Sequence, residues 1–66
     1  MVVANRLRET RKKRRIPQKK LADATGYSTK TIGRIERGEQ APSAEFMFRM
    51  AAYFQLLMED LFEIED

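Results

Sequence analysis

Residues 18–38, QKKLADATGYSTKTIGRIERG, hold the pattern on which the reading of this chain turns. Gln18 to Ala24 carries apolar Leu21 with the small Ala22 and Ala24, and Gly26 follows directly. A helix commonly ends in such a glycine, whose positive φ meets no Cβ clash. Ser28 is a good N-cap, and Ile32 and Ile35 recur at i, i+3 on the inward side of a second helix. Gly38 stops that helix. Two helices cross closely at about 90–120° when a small residue sits at the crossing, a glycine at the turn, and a branched apolar residue faces back. Ala22, Gly26 and Ile32 supply the three. Basic and hydroxyl side chains lie along the second helix, so the pair has the makings of a device that reads DNA.

Sixty-six residues make one domain, residues 1–66. A chain this short buries only about 60% of its unfolded surface, so it is marginal alone and gains from pairing. Cysteine and histidine are absent. That excludes a disulfide framework, a thiolate metal site and the commonest acid–base and nucleophilic chemistry, so no enzyme, cofactor or metal is expected. No run of eighteen apolar residues occurs, no membrane span is expected, and the basic N-terminus lacks the apolar core of a signal peptide. The expected setting is the cytoplasm of a bacterium, or a plasmid or phage origin.

The net charge of +3 hides a separation. Residues 1–38 hold twelve Lys or Arg against three acids, while residues 39–66 hold Arg49 against seven acids. A basic half suits a polyanion, and an acidic half faces away from it. The basic half is also the half with the two-helix pattern. The tail acids Glu59, Asp60, Glu63, Glu65 and Asp66 read as solvated charges on an end helix rather than a cation site.

Five helices and no strands are expected, at about 3–14, 18–25, 29–37, 44–54 and 58–63. In the first, Ala4, Leu7, Thr10 and Arg11 face inward at i, i+3, i+4 spacing. Pro17 pushes Ile16 toward extended geometry and separates the first two helices. Ser43 caps the fourth helix, whose core face is Met47, Met50, Ala51 and Phe54. Leu61 and Phe62 pack inward from the fifth. No repeat, low-complexity tract or linker appears.

These residues resemble the helix-turn-helix of the phage repressor and Cro family. The likeness continues in Arg6-Leu7-Arg8, in Ile35-Glu36-Arg37-Gly38, in Pro42-Ser43 and in Met58-Glu59-Asp60-Leu61-Phe62, and covers roughly residues 4–63. It implies an all-α, five-helix lambda-repressor-like domain, with the motif formed by helices 2 and 3. Arg15 stands where that family usually ends helix 1 with glycine. Pro17 replaces the usual Ser or Thr cap, and Gln55 and Leu57 replace the usual Gly and Ser/Thr before helix 5. Each lost cap costs about 1 kcal/mol at most.

Such proteins lay the second helix of the motif in the major groove. By residue-for-residue resemblance, Thr29, Lys30, Gly33 and Arg34 hold the base-facing positions. Lys and Arg suit guanine O6 and N7, and Thr offers a methyl or a hydroxyl. Lys30 and Arg34 could instead touch phosphate without reading sequence. Gly33 either reads nothing or lets the helix approach closely. Gln18, Lys19, Ser28, Arg37 and Gln40 are the expected phosphate contacts, which position the protein without specifying sequence. The family also pairs an arginine of helix 1 with a glutamate ending helix 3, and Arg11 and Glu36 stand there. Arg11 could brace helix 3, meet a phosphate, or do both.

Helix 4 is apolar nearly all round, as a helix buried on more than one side is. Either the local core is thick, or Phe46, Tyr53, Leu57, Met58, Leu61 and Ile64 form a two-fold dimer surface. Dimerisation through this C-terminal region is common in the family. The expected partners are therefore double-stranded DNA with a palindromic or pseudo-palindromic operator and a second copy of the chain. The expected function is that of a small dimeric regulator, a repressor first of all. Antitoxins of the same family, which bind a toxin and repress their own operon, are the alternative. RNA fits less well, since no aromatic platform lies among the basic residues.

Overall fold

Helices form where the local pattern asks for them, and the chain ends do something else. The computed structural model describes residues 2–65, with the backbone alone for 2 and 3. Met1 and Asp66, the last of the tail acids, lie outside the described residues. The order is β1 (Val2–Asn5), α1 (Leu7–Lys13), α2 (Gln18–Thr25), α3 (Thr29–Glu36), α4 (Ala44–Phe54), α5 (Met58–Leu61) and β2 (Phe62–Ile64).

Five helices are present, and the expectation of no strands is corrected. β1 and β2 pair antiparallel, Val2 opposite Ile64 and Asn5 opposite Phe62, with an irregularity between Val2 and Ala4. The Arg6 N–H continues the tie by donating to the Leu61 carbonyl at 2.6 Å. Helix 1 therefore begins at Leu7 rather than Val3, and helix 5 ends at Leu61 rather than Glu63. The flanking residues 2–3 and 62–64 are rich in β-branched and aromatic types, which favour a pleated surface. Ala4 consequently sits exposed in a strand, while Leu7 and Arg11 are the buried residues of α1.

The core gathers Leu7, Leu21, Ile32, Ile35, Phe46, Met50, Phe54, Leu61 and Phe62 from every helix and from β2. Each such side chain contributes about 1.5–3 kcal/mol by leaving water. Phe46 is fully enclosed in the core. Its ring lies 4.8 Å from that of Tyr27 in the α2–α3 turn and 6.5 Å from that of Phe62, edge to face. Phe46 and Leu61 are thereby enclosed within one domain, and neither belongs to a dimer surface. The apolar excess of α4 is in part this core.

Helix ends explain the departures noted above. Ser28 Oγ accepts the Thr31 N–H at 3.1 Å, and Ser43 Oγ accepts the Phe46 N–H at 3.0 Å. Pro17 and Leu57 give no side-chain cap, although the Asp60 carboxylate accepts the Leu57 N–H at 3.1 Å. Arg15 and Gln55 take φ of 56° and 58°, the left-handed geometry that glycine adopts without strain. In both places the next residue, Ile16 or Leu56, donates back across the helix end to Arg11 or Ala51 at 3.0 Å.

Candidate nucleic-acid interface

The α2–α3 turn is built from its backbone outward. Gly26 adopts φ 83°, and its N–H closes α2 on the Ala22 carbonyl at 2.9 Å. Arg49 of α4 holds the turn from outside. It donates to the Thr25 carbonyl at 3.0 Å, lies 5.5 Å over the Tyr27 ring and pairs with Glu45 at 2.7 Å. A Cβ at Gly26 would approach the Arg49 guanidinium to 3.3 Å. Reading the sequence missed this arginine, although it is the lone cation of the acidic half.

Helix α3 is braced from behind by charge. The Arg11 guanidinium grips the Glu36 carboxylate with two bonds, Nε to Oε2 at 2.8 Å and Nη2 to Oε1 at 3.1 Å. The two side chains are 10% and 2% exposed. Arg11 Nη1 also donates to the Ile16 carbonyl at 3.0 Å, and Gln18 Nε2 adds a third donor to Glu36 at 3.0 Å. Asn5 completes the brace by donating to the Ile35 carbonyl at 3.0 Å. Nearly enclosed and bonded on three of its nitrogens, Arg11 serves the pair. Its engagement there favours the bracing role over a direct phosphate contact.

The outer face of α3 is arranged differently. Thr29, Lys30 and Arg34 are exposed; among the described residues the side chains of Lys30 and Arg34 form no hydrogen bond or ion pair, although the Arg34 charge helps to lower the Glu39 carboxyl. Residues at i and i+4 share a helix face, so Lys30 and Arg34 present two cations side by side. Ser28 is exposed but engaged as a cap with Thr31. Lys19 makes a long 3.7 Å contact with Asp23, of little energetic weight at such exposure. Gln40 is exposed in the loop after α3.

Gly33 is buried. The Arg37 guanidinium lies so close that a Cβ on Gly33 would sit 3.0 Å from Nη1 and 3.6 Å from the Gln18 amide nitrogen. Arg37 in turn binds Glu39 through Nε at 2.6 Å and Nη2 at 3.3 Å. That hydrogen bond is the main reason the Glu39 carboxyl is held below its usual range and Arg37 is pushed up. Arg8, Arg11, Gln18, Gly33, Glu36 and Arg37 line a polar cleft of about 160 Å³ here.

Two further findings concern surfaces outside the motif. Arg14 donates to the Phe54 carbonyl at 2.7 Å and lies 5.3 Å over that ring. It therefore closes the C-terminal end of α4, a role that basic residues at a helix end commonly fill. Phe48, Leu57 and Ile64 are 65%, 63% and 49% exposed. Phe48 also lines an open groove of about 460 Å³ with Ala24, Thr25, Arg49, Ala52 and Tyr53. Among the described residues no helix is long and apolar enough to cross a membrane, and no cluster of possible metal ligands occurs.

Comparison with known proteins agrees with this architecture. Residues 7–61 match the family model described as helix-turn-helix. A protein of Methanocaldococcus jannaschii is 37% identical over 62 residues, covering 94% of each chain. One of Bacillus subtilis is 31% identical over 62 residues, again covering 94% of each. One of Archaeoglobus fulgidus is 36% identical over 61 residues, covering 92% of this chain and 87% of its own. Each of the three is described as an uncharacterized HTH-type transcriptional regulator.

Proposed function

Because the chain belongs to the helix-turn-helix family, we propose that it is a DNA-binding transcriptional regulator that lays α3 in the major groove as a homodimer and represses by occupying its operator. Membership of this family, and relatives named as regulators, speak for a regulator and against an enzyme. The observation that carries the groove-reading role is the contrast between the two faces of α3. Behind, Glu36 is locked by Arg11 and Gln18; in front, Lys30 and Arg34 stand exposed, with no side-chain hydrogen bond to hold them. A rigid element presenting exposed cations is what bidentate reading of base edges requires. Gln18, Lys19, Ser28, Arg37 and Gln40 flank that face and are assigned to the phosphate backbone. The cytoplasm is the setting such an activity implies.

The dimer is supported by Leu57 and Ile64, which expose apolar surface, and by the half-buried Tyr53 and Met58. A two-fold pair would place two α3 helices about one helical turn of DNA apart. Selection of bound sites from a random duplex pool tests the proposal. Enrichment of two half-sites centred about 10 base pairs apart is expected. Lys30→Ala and Arg34→Ala should each lose discrimination at particular positions by about 1–3 kcal/mol per half-site. Absence of enrichment would overturn DNA reading, and a monomer on the selected site would overturn the dimer.

A further inference from the structure

We propose that Arg37 is a base-reading residue: its guanidinium lies against the bare backbone of Gly33, Glu39 holds it there, and it takes the acceptor edge of a guanine. The inference rests on the DNA-reading role proposed above and replaces the phosphate role given to Arg37 there. Thr29, Gly33 and Arg37 follow one another at i, i+4 and i+8, and Arg37 still has right-handed backbone, with φ −87°. Helical side chains lean toward the N-terminus, so Arg37 reaches back over the turn that contains Gly33. The structure has it there, with Nη1 3.0 Å from where a Cβ of residue 33 would stand.

The pairing with Glu39 decides which nitrogens remain. Nε and one N–H of Nη2 face the carboxylate. Both N–H groups of Nη1 and the outer one of Nη2 are left, and Nη1 with Nη2 forms the parallel donor pair that matches guanine O6 and N7. A carboxylate beside the guanidinium also removes its net charge. The unit is thus a poor ligand for phosphate and a preset ligand for a neutral base edge. Glu39 is a positioning residue in this account, and Gly33 is the bare backbone against which the guanidinium lies.

Site selection from a random duplex pool, at two salt concentrations, with wild type, Arg37→Ala, Glu39→Ala and Gly33→Ala decides it. Arg37→Ala should lose a guanine preference at one position per half-site by roughly ten- to a hundredfold and keep the rest of the profile. Glu39→Ala should weaken the same preference, raise affinity for all sequences and steepen the salt slope by about one per protomer, as a freed cation turns to phosphate. Gly33→Ala, shown to be folded by its circular dichroism, should crowd the guanidinium by a few tenths of an ångström and weaken the same guanine preference without abolishing it. Uniform weakening by Arg37→Ala, or an unchanged base profile in Glu39→Ala, would overturn the inference. Should wild type enrich a site and all three variants keep its profile, only this inference falls. Should wild type enrich none, the DNA-reading role falls with it.

Discussion

At the scale of single residues, the Arg11–Glu36 pair matters most for stability. Two charges taken from water are tolerable only while each satisfies the other, and here a bidentate contact, a backbone carbonyl and the Gln18 amide do so. Glu36→Ala should therefore cost about 3–5 kcal/mol. A domain of this size holds only about 3–10 kcal/mol in all, so the variant should be partly or wholly unfolded. Urea titration reads the loss. Replacing Arg11 and Glu36 together by Met and Leu should recover most of it, because no uncompensated charge remains. Strictly additive single and double losses would mean that the two side chains do not act on each other. The pair was legible through family resemblance. Gln18 as its third member was not, since its partner lies eighteen positions on and on another helix. Arg14 and Arg49 were hidden for a related reason: a cation that serves a distant carbonyl looks, in sequence, like any solvated charge.

At the scale of elements, the helix ends carry correctable strain. Arg15 and Gln55 occupy the left-handed region with a Cβ, which costs about 1–2 kcal/mol at each residue. Glycine there would remove the clash and return part of the gain through a freer unfolded chain. Gln55→Gly should thus stabilise by about 0.5–1 kcal/mol, visible as a rise of about 2–8 °C in Tm. A lower Tm would show that the Gln55 side chain makes a contribution that its geometry does not reveal. Arg15→Gly should act in the same direction on stability while removing one positive charge from the basic half. The helices were legible because caps, breakers and apolar spacing are local signals; α2 and α4 fall on the expected residues. The strands were not. Three or four residues are too few to show a period of two, and each strand takes its shape from a partner at the other end of the chain.

At the scale of the molecule, the separation of charge is the property that DNA would sense first. If each protomer neutralises about four phosphates, log K should fall against log salt with a slope of about −7 for the dimer. A slope shallower than about −3 would mean that the basic half does not track the backbone. The core has a related economy: α4 serves it with Phe46, Met50, Ala51 and Phe54, and leaves Phe48 outside. One further consequence belongs to the sheet. Pairing Val2 with Ile64 closes a loop of nearly the whole chain, and non-local closures of this kind slow folding, because the ends must meet before any contact compensates them. Joining Ile64 to Val2 through an Asn-Gly turn, and opening the exposed loop between Gln40 and Ala41, would make the two strands a hairpin. Such a permuted chain should refold faster than the original with its helices in place. An unchanged refolding rate would show that the strands meet only after the rate-limiting step has passed.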